Sequence, residues 1–268
     1  MPVRAISQAL FALLLIVTVP ALQAETREDA RLITATKVLE ELRGLRDQQI
    51  PDRLLERAYA VAVIPDVIKV GFGIGGRRGK GVLVVRDGNG HFGQPIFVAL
   101  TGGSIGWQIG AQATDVVLVF TTRRGVEGIT GGKLTLGADA SVAAGPVGRQ
   151  AEAATDVNLA EVYSYSRSRG LFAGVALDGT AITIDRRANG KFYGQRKVEA
   201  ADILNGSVHK NSETAQRFLH AVSSSTGAAA RPVARDSSSS QKSNDDAGES
   251  GAKSYPMEDK SPGSDPPQ

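Results

Sequence analysis

Three groups of closely spaced cations carry the residue types and spacing that suggest chemistry. They are Arg77, Arg78 and Lys80 in G-R-R-G-K-G, Arg123 with Arg124, and Arg167 with Arg169 in S-R-S-R-G. Guanidinium forks and backbone N–H groups bared by glycine suit phosphate oxygens, so the groups propose an anionic ligand. The ordinary alternative for each is a set of solvated loop charges. Arg167 and Arg169 are two apart at the end of an expected strand, which puts them on one face. Leu171 and Phe172 follow at once and propose an apolar contact with an acyl boundary while the arginines hold headgroups. Core packing is the competing role for that pair.

Other chemistries fit less well. Gly71, Gly73 and Gly76 have the G-x-G-x-x-G spacing of a dinucleotide loop, which needs a helix opening at its last glycine. Here Gly76 is followed by Arg77 to Gly81, the β-branched run Val82–Val85 and the turn Asp87-Gly88-Asn89-Gly90, a strand entering a hairpin. Gly79-Lys80 is followed by Gly81, so no Walker loop forms either. His91, His209 and His220 are the three histidines; no H-E-x-x-H spacing accompanies them, and Ser104 in G-G-S-I-G falls in an alternating strand pattern and not at the strand-to-helix turn of a nucleophile elbow. With no cysteine, thiolate metal sites, disulfides and an N-terminal lipid-bearing Cys are excluded. We therefore expect no catalytic residue, cofactor or metal. Few aromatic residues interleave with the cations, which argues against nucleic acid.

The elements that must position these residues divide the chain in three. Residues 1–24 read as an export signal: Arg4, an apolar stretch from Ala9 to Val19, then Pro20 to Ala24 with small residues for cleavage. An exported, periplasmic or secreted protein is the expectation. Residues 223–268 are rich in Ser, Ala, Gly, Pro, Asp and Lys, and too poor in large apolar side chains to offset ordering entropy; a disordered tail is expected. Residues 25–222 remain as one domain. Its helix from Glu25 to Arg46 places Leu32, Val38, Leu39, Leu42 and Leu45 near one face, to pack on the domain or to lie on a membrane; its mixed charge favours packing. Asp52–Ala60 reads as a second short helix and Ser212–Val222 as a closing one. Strands are expected at 61–64, 82–85, 95–100, 105–109, 116–120, 162–166, 171–177 and 181–185, with short strands of small residues within 134–147. Gly71, Gly73 and Gly75 fall on one strand face, for a close approach or a sharp bend, with G-R-R-G-K-G as a flexible turn after them. The fold class is α+β: a curved antiparallel sheet or partial barrel with N-terminal helices and a C-terminal helix.

The ordered segments VAVIPDVIKVGFGIGGRRGKGVLVVR, GGSIGWQIGAQATDVVLVF, LGADASVAAGPVGR, YSYSRSRGLFAGVALDG and NGKFYG resemble the SYLF domain, over roughly residues 51–206. Ser166–Gly174 is the most distinctive of them, and Gln112 stands where the pattern leads us to expect an acid. The resemblance implies a lipid-binding module that contacts anionic phospholipid or phosphoinositide headgroups, here through Arg77, Arg78, Lys80, Arg167 and Arg169. Some eukaryotic members bind actin, an activity not expected of an exported chain. Two alternatives stay open: an envelope scaffold whose tail mediates contacts, and an enzyme using the glycine-rich face as a nucleotide or acyl site.

Overall fold

The computed structural model describes residues 26–44, 50–147, 160–168 and 171–226, without the side chains of 72–74 and 104–111. The expected export segment, Arg169 and the tail beyond Thr226 lie outside the described residues. In chain order the elements are α1 (Arg27–Gly44), α2 (Asp52–Glu56), β1 (Ala60–Val85), β2 (Ile96–Phe120), α3 (Arg124–Thr130), β3 (Lys133–Thr135), β4 (Val142–Ala144), β5 (Val162–Ser168), β6 (Leu171–Gly174), β7 (Thr180–Ile184), α4 (Arg186–Tyr193), α5 (Ala200–Leu204) and α6 (Glu213–Ser225).

The class is α+β, as expected, with one seven-stranded sheet in the order β3-β7-β2-β5-β4, β1 on β2 and β6 on β5. Pairing is antiparallel except between β4 and β5. Runs such as AVAVI and VVLVF are apolar throughout because the sheet is covered on both faces. Val61, Val63, Val117 and Val119 enter a core with α1, α4 and α6. Their neighbours Ala60, Ala62, Val116 and Leu118 enter another with Val126 of α3 and Ile203 of α5. Helix α1 commits its apolar stripe to the first core, with Leu32, Ala35, Val38, Leu39 and Leu42 all buried.

The dominant feature is a ribbon of two long strands, 26 residues in β1 and 25 in β2. The sequence reading divides this stretch into separate strands with a flexible turn at G-R-R-G-K-G, and the structure corrects it. Arg77, Arg78, Gly79, Lys80 and Gly81 face Gly102, Thr101, Leu100, Ala99 and Val98 in unbroken register. Glycine lowers strand propensity but keeps both ladder groups, so pairing to β2 carries the strand through. Pro65 falls at a bulge, where Pro65 and Asp66 oppose Asp115 alone and Asp66 takes a left-handed φ of 49°.

Glycine then lets the ribbon fold over. A Cβ on Gly79 would lie 2.7 Å from both Ile64 Cγ2 and Val67 Cγ2, and one on Gly81 would lie 2.3 Å from the Val63 carbonyl oxygen. The late part of β1 thus presses on its own beginning, and the segment between, about 67–76 with 103–114 of β2, is an arch. Beyond the arch β2 pairs with β7 at 98–102 and with β5 at 115–120, whereas within it the described pairing is to β1 alone.

The closing end of the ribbon is fixed by Asn189, which is fully buried. Its Oδ1 accepts from Phe97 N at 2.9 Å and its Nδ2 donates to Phe97 O at 3.0 Å, so an amide side chain replaces a strand residue where β7 ends. Helix α4 had not been expected, although Asp185 caps it by accepting from Ala188 N at 3.1 Å and Gly194 ends it at φ 69°.

Gly81→Ala should cost about 2 kcal/mol or more, because its methyl meets backbone that cannot yield without moving a core strand. Gly88→Ala, with open space around it, should stay within about 0.5 kcal/mol. Thermal melts of the two variants check this; equal midpoints would refute the close approach.

Candidate functional site

Strand alternation separates the first cation group. Arg77 shares a face with Gly79 and Gly81, the inner side of the arch, together with Lys69, Gly71 and Gly75. Arg78 and Lys80 point to the outer side, as do Ile68 and Val70. Arg77 Nε is buried without a hydrogen-bond partner, and burial pulls its guanidinium below its ordinary pKa. Arg78 is exposed, and no ion pair to it is seen among the described residues. Lys80 Nζ lies 3.6 Å from Asp185 Oδ2, a carboxylate that also holds Arg31 at 3.3 Å and caps α4.

Arg167 stands in a different place, at the foot of the arch. Its Nε and Nη2 donate to Asp115 Oδ2 at 2.9 and 2.8 Å, and its Nη1 meets the Glu41 carboxylate of α1. The other Asp115 oxygen accepts from the Asp66 amide of the bulge at 3.1 Å. One carboxylate thereby ties β1, β2 and β5 together, and Arg167 extends the tie to α1. Burial holds the Asp115 carboxyl above its usual range, aided by the neighbouring Asp66 charge and opposed by the Asp66 amide.

The expected apolar pair also divides. Phe172 is 3% exposed and stacks on Tyr165 with ring centroids 5.0 Å apart, whereas Leu171 is 67% exposed. Gln112 Nε2 donates to Ser168 Oγ at 3.3 Å, joining the arch to the tip of the β5–β6 hairpin. Arg123 pairs with Glu127 at 3.1 Å and Arg124 with Glu161 at 3.9 Å, both at the surface.

Sequence reasoning missed Ile68, Lys69 and Val70. Ile68 is 52% and Val70 50% exposed on the outer side of the arch, with Lys69 exposed on the inner side. The available signal was the alternation V-I-K-V-G-F-G-I-G, which shows two faces without telling which is covered. Among the described residues no three His, Cys, Asp or Glu side chains are placed to hold a metal ion, and no helix is long and apolar enough to cross a membrane.

Residues 101–225 match the Ysc84 family, described as Las17-binding protein actin regulator. The chain is similar to LAS seventeen-binding protein 3 of Saccharomyces cerevisiae, 39% identical over 192 residues, which are 70% of this chain and 41% of that protein. It is also similar to SH3 domain-containing YSC84-like protein 1 of Xenopus laevis, 34% identical over 199 residues (74% of this chain, 59% of the relative). The protein of that name from Homo sapiens is 35% identical over 187 residues (69% and 54%). The chain thus spans about half the length of the relatives it matches.

Because Arg167 is braced by two carboxylates, Arg167→Ala should destabilise the fold by about 2 kcal/mol, leaving Asp115 buried without its cation. A double-mutant cycle with Asp115→Ala in urea should give a coupling of about 1–2 kcal/mol. Additive effects would show that the pair does not brace the fold.

Proposed function

We propose, for a chain that belongs to the Ysc84 (SYLF) domain family, that it is a non-enzymatic protein attaching to anionic phospholipid surfaces through the arch of its β1–β2 ribbon. The observation that carries the reading is the pair Ile68 and Val70, half exposed on a segment that also bears Lys69, Arg77 and Arg78. The outward-facing amides and carbonyls of a two-stranded ribbon need water or phosphate as partners, so the arch rests in the hydrated headgroup layer while the side chains of Ile68 and Val70 reach toward the acyl boundary. Arg77, Arg78 and Lys69 would meet phosphate oxygens there, each cation contributing about 1 kcal/mol near an anionic surface. Lys80 and Arg167, already held by carboxylates, are assigned to the scaffold on this reading, and Phe172 to the core. Leu171 adds an apolar contact at the hairpin beside the arch. Residues 1–24 act as an export signal, so the membrane is met from outside the cytoplasm. The name of the yeast relative and the description of the family refer to Las17 binding, which supports a protein partner as the second reading.

The test is cosedimentation of the purified chain with phosphatidylglycerol or phosphatidylcholine vesicles. Binding is expected to phosphatidylglycerol alone, falling as salt rises. Arg77→Ala/Arg78→Ala should lose about 2 kcal/mol, roughly 30-fold in affinity. Ile68→Ser/Val70→Ser should weaken binding at every salt concentration without changing its salt dependence. Equal binding to both vesicles, or to neither, overturns the reading and leaves the protein partner. The mass of the protein recovered from the producing cell checks export: a chain beginning at Glu25 is expected, and one retaining residues 1–24 refutes it.

A further inference from the structure

One more cation lies apart from the arch. Arg86 follows β1 directly, at the turn into β2, and its guanidinium stacks on Phe92 with Cζ 4.7 Å from the ring centroid. Its Nε and Nη2 are buried, and neither has a hydrogen-bond partner among the described residues. These two N–H groups form the side-on fork of the guanidinium, the edge whose spacing matches the two oxygens of one carboxylate. Stacking on Phe92 fixes the plane of the fork, and a ligand bonding its edge would lie in that plane. A buried fork without acceptors is unusual enough to demand a partner.

Arg86 borders a cavity of about 340 Å³ that reaches from the β1–β2 turn to α3 and α5. Its apolar wall is built from Tyr59, Val85, Val126, Ile203 and Leu204. The other charges on the wall are already engaged: Arg123 pairs with Glu127 at 3.1 Å, and Asp87 Oδ1 accepts from Asn89 N at 2.9 Å and His91 N at 2.8 Å. A ligand with a second negative charge would face Asp87 and Glu127, so the lining suits a monoanion with an apolar body.

We propose that this cavity binds a small organic monocarboxylate, its carboxylate on the Nε/Nη2 edge of Arg86 and its apolar body against Val126, Ile203 and Leu204. The site is independent of the lipid-facing arch. Both N–H groups are covered by neighbouring protein atoms, so a carboxylate reaches them only as part of the wall moves aside. On this proposal the segment that yields is the β1–β2 turn, where Asp87, Gly88 and Asn89 are exposed.

Hexanoate is the probe, titrated into the ¹⁵N-labelled full chain while the arginine Nε–H resonances are followed. The resonance that disappears in Arg86→Lys identifies Arg86. A saturable shift of that resonance is expected with hexanoate, and less than a tenth of it with equal hexanol or inorganic phosphate. Arg86→Lys keeps the charge and loses the fork, and should bind hexanoate at least tenfold more weakly by calorimetry; Arg217→Ala, on α6, should bind as the unaltered chain does. No saturable shift, an equal response to hexanol, or unchanged affinity in Arg86→Lys overturns the site and leaves a cavity that holds water. Equal binding of phosphate overturns the assignment to a monocarboxylate. Should Arg86→Lys fail to fold, each arginine Nε–H in turn is assigned by its own substitution, and the hexanoate and hexanol arms on the unaltered chain still decide.

Discussion

The contact between the two ends of β1 is the constraint on which the rest depends. Gly81 stands where any side chain would press into the Val63 carbonyl, and Gly79 where one would press into Ile64 and Val67. Removing both side chains lets a single strand be early core and late core at once. The residues between have no core left to join and must project. From this one approach follow the inward face of Arg77, the outward face of Arg78 and Lys80, and the half exposure of Ile68 and Val70. The surface proposed to meet lipid is thus the remainder of a packing solution, formed by residues the core does not use.

Two carboxylates keep that solution in place. Asp115 holds the foot of the arch through Asp66 N and Arg167, and Asp185 holds the other end through Lys80, Arg31 and the cap of α4. Neither pair is a simple surface bridge, since both carboxylates are 12% exposed and accept backbone N–H bonds as well. Removing one partner of such a group costs more than the pair contributes, because the remaining charge stays desolvated. Cations of one sequence type therefore divide by what faces them. Arg167 and Lys80 face acids from other elements, and Arg78 faces none among the described residues.

The class of fold, the first and last helices, the β1–β2 turn and the glycine face were legible in the sequence, because each rests on local periodicity or turn chemistry. Helix α1 shows its stripe at Leu32, Val38, Leu39 and Leu42, and that stripe is buried. The continuity of β1 was not legible. G-R-R-G-K-G has the composition of a turn, and its strand geometry comes from twenty-five residues of partner in β2, which no local window contains. The separation of Arg77 from Arg78 follows from that continuity. The ion pairs of Arg167 were hidden for a related reason: its partners Asp115 and Glu41 lie 52 and 126 positions away. Helix α4 was legible and overlooked, since Asp185 and Gly194 bracket it with ordinary capping residues. The exposure of Ile68 and Val70 goes with the lack of a third strand beside the arch among the described residues, which is a property of topology.

The strength of the proposed attachment can be argued from the same parts. Full burial of an aliphatic side chain of this size is worth about 1.5–3 kcal/mol, so half-exposed Ile68 and Val70 together add about 2–3 kcal/mol on entering the acyl boundary. Lys69, Arg77 and Arg78 add about 1 kcal/mol each. Set against the loss of rotational freedom on docking, the sum is a reversible, salt-sensitive contact and not an anchor. The strand pairing within the arch matters here. A flexible loop with the same residues would lose about 1–2 kcal/mol per ordered residue on binding, enough to cancel the gain. Holding Ile68, Lys69, Val70 and Arg77 in a paired ribbon incurs that ordering cost during folding, and the glycine approach at Gly79 and Gly81 is what makes such a ribbon stand out from the sheet.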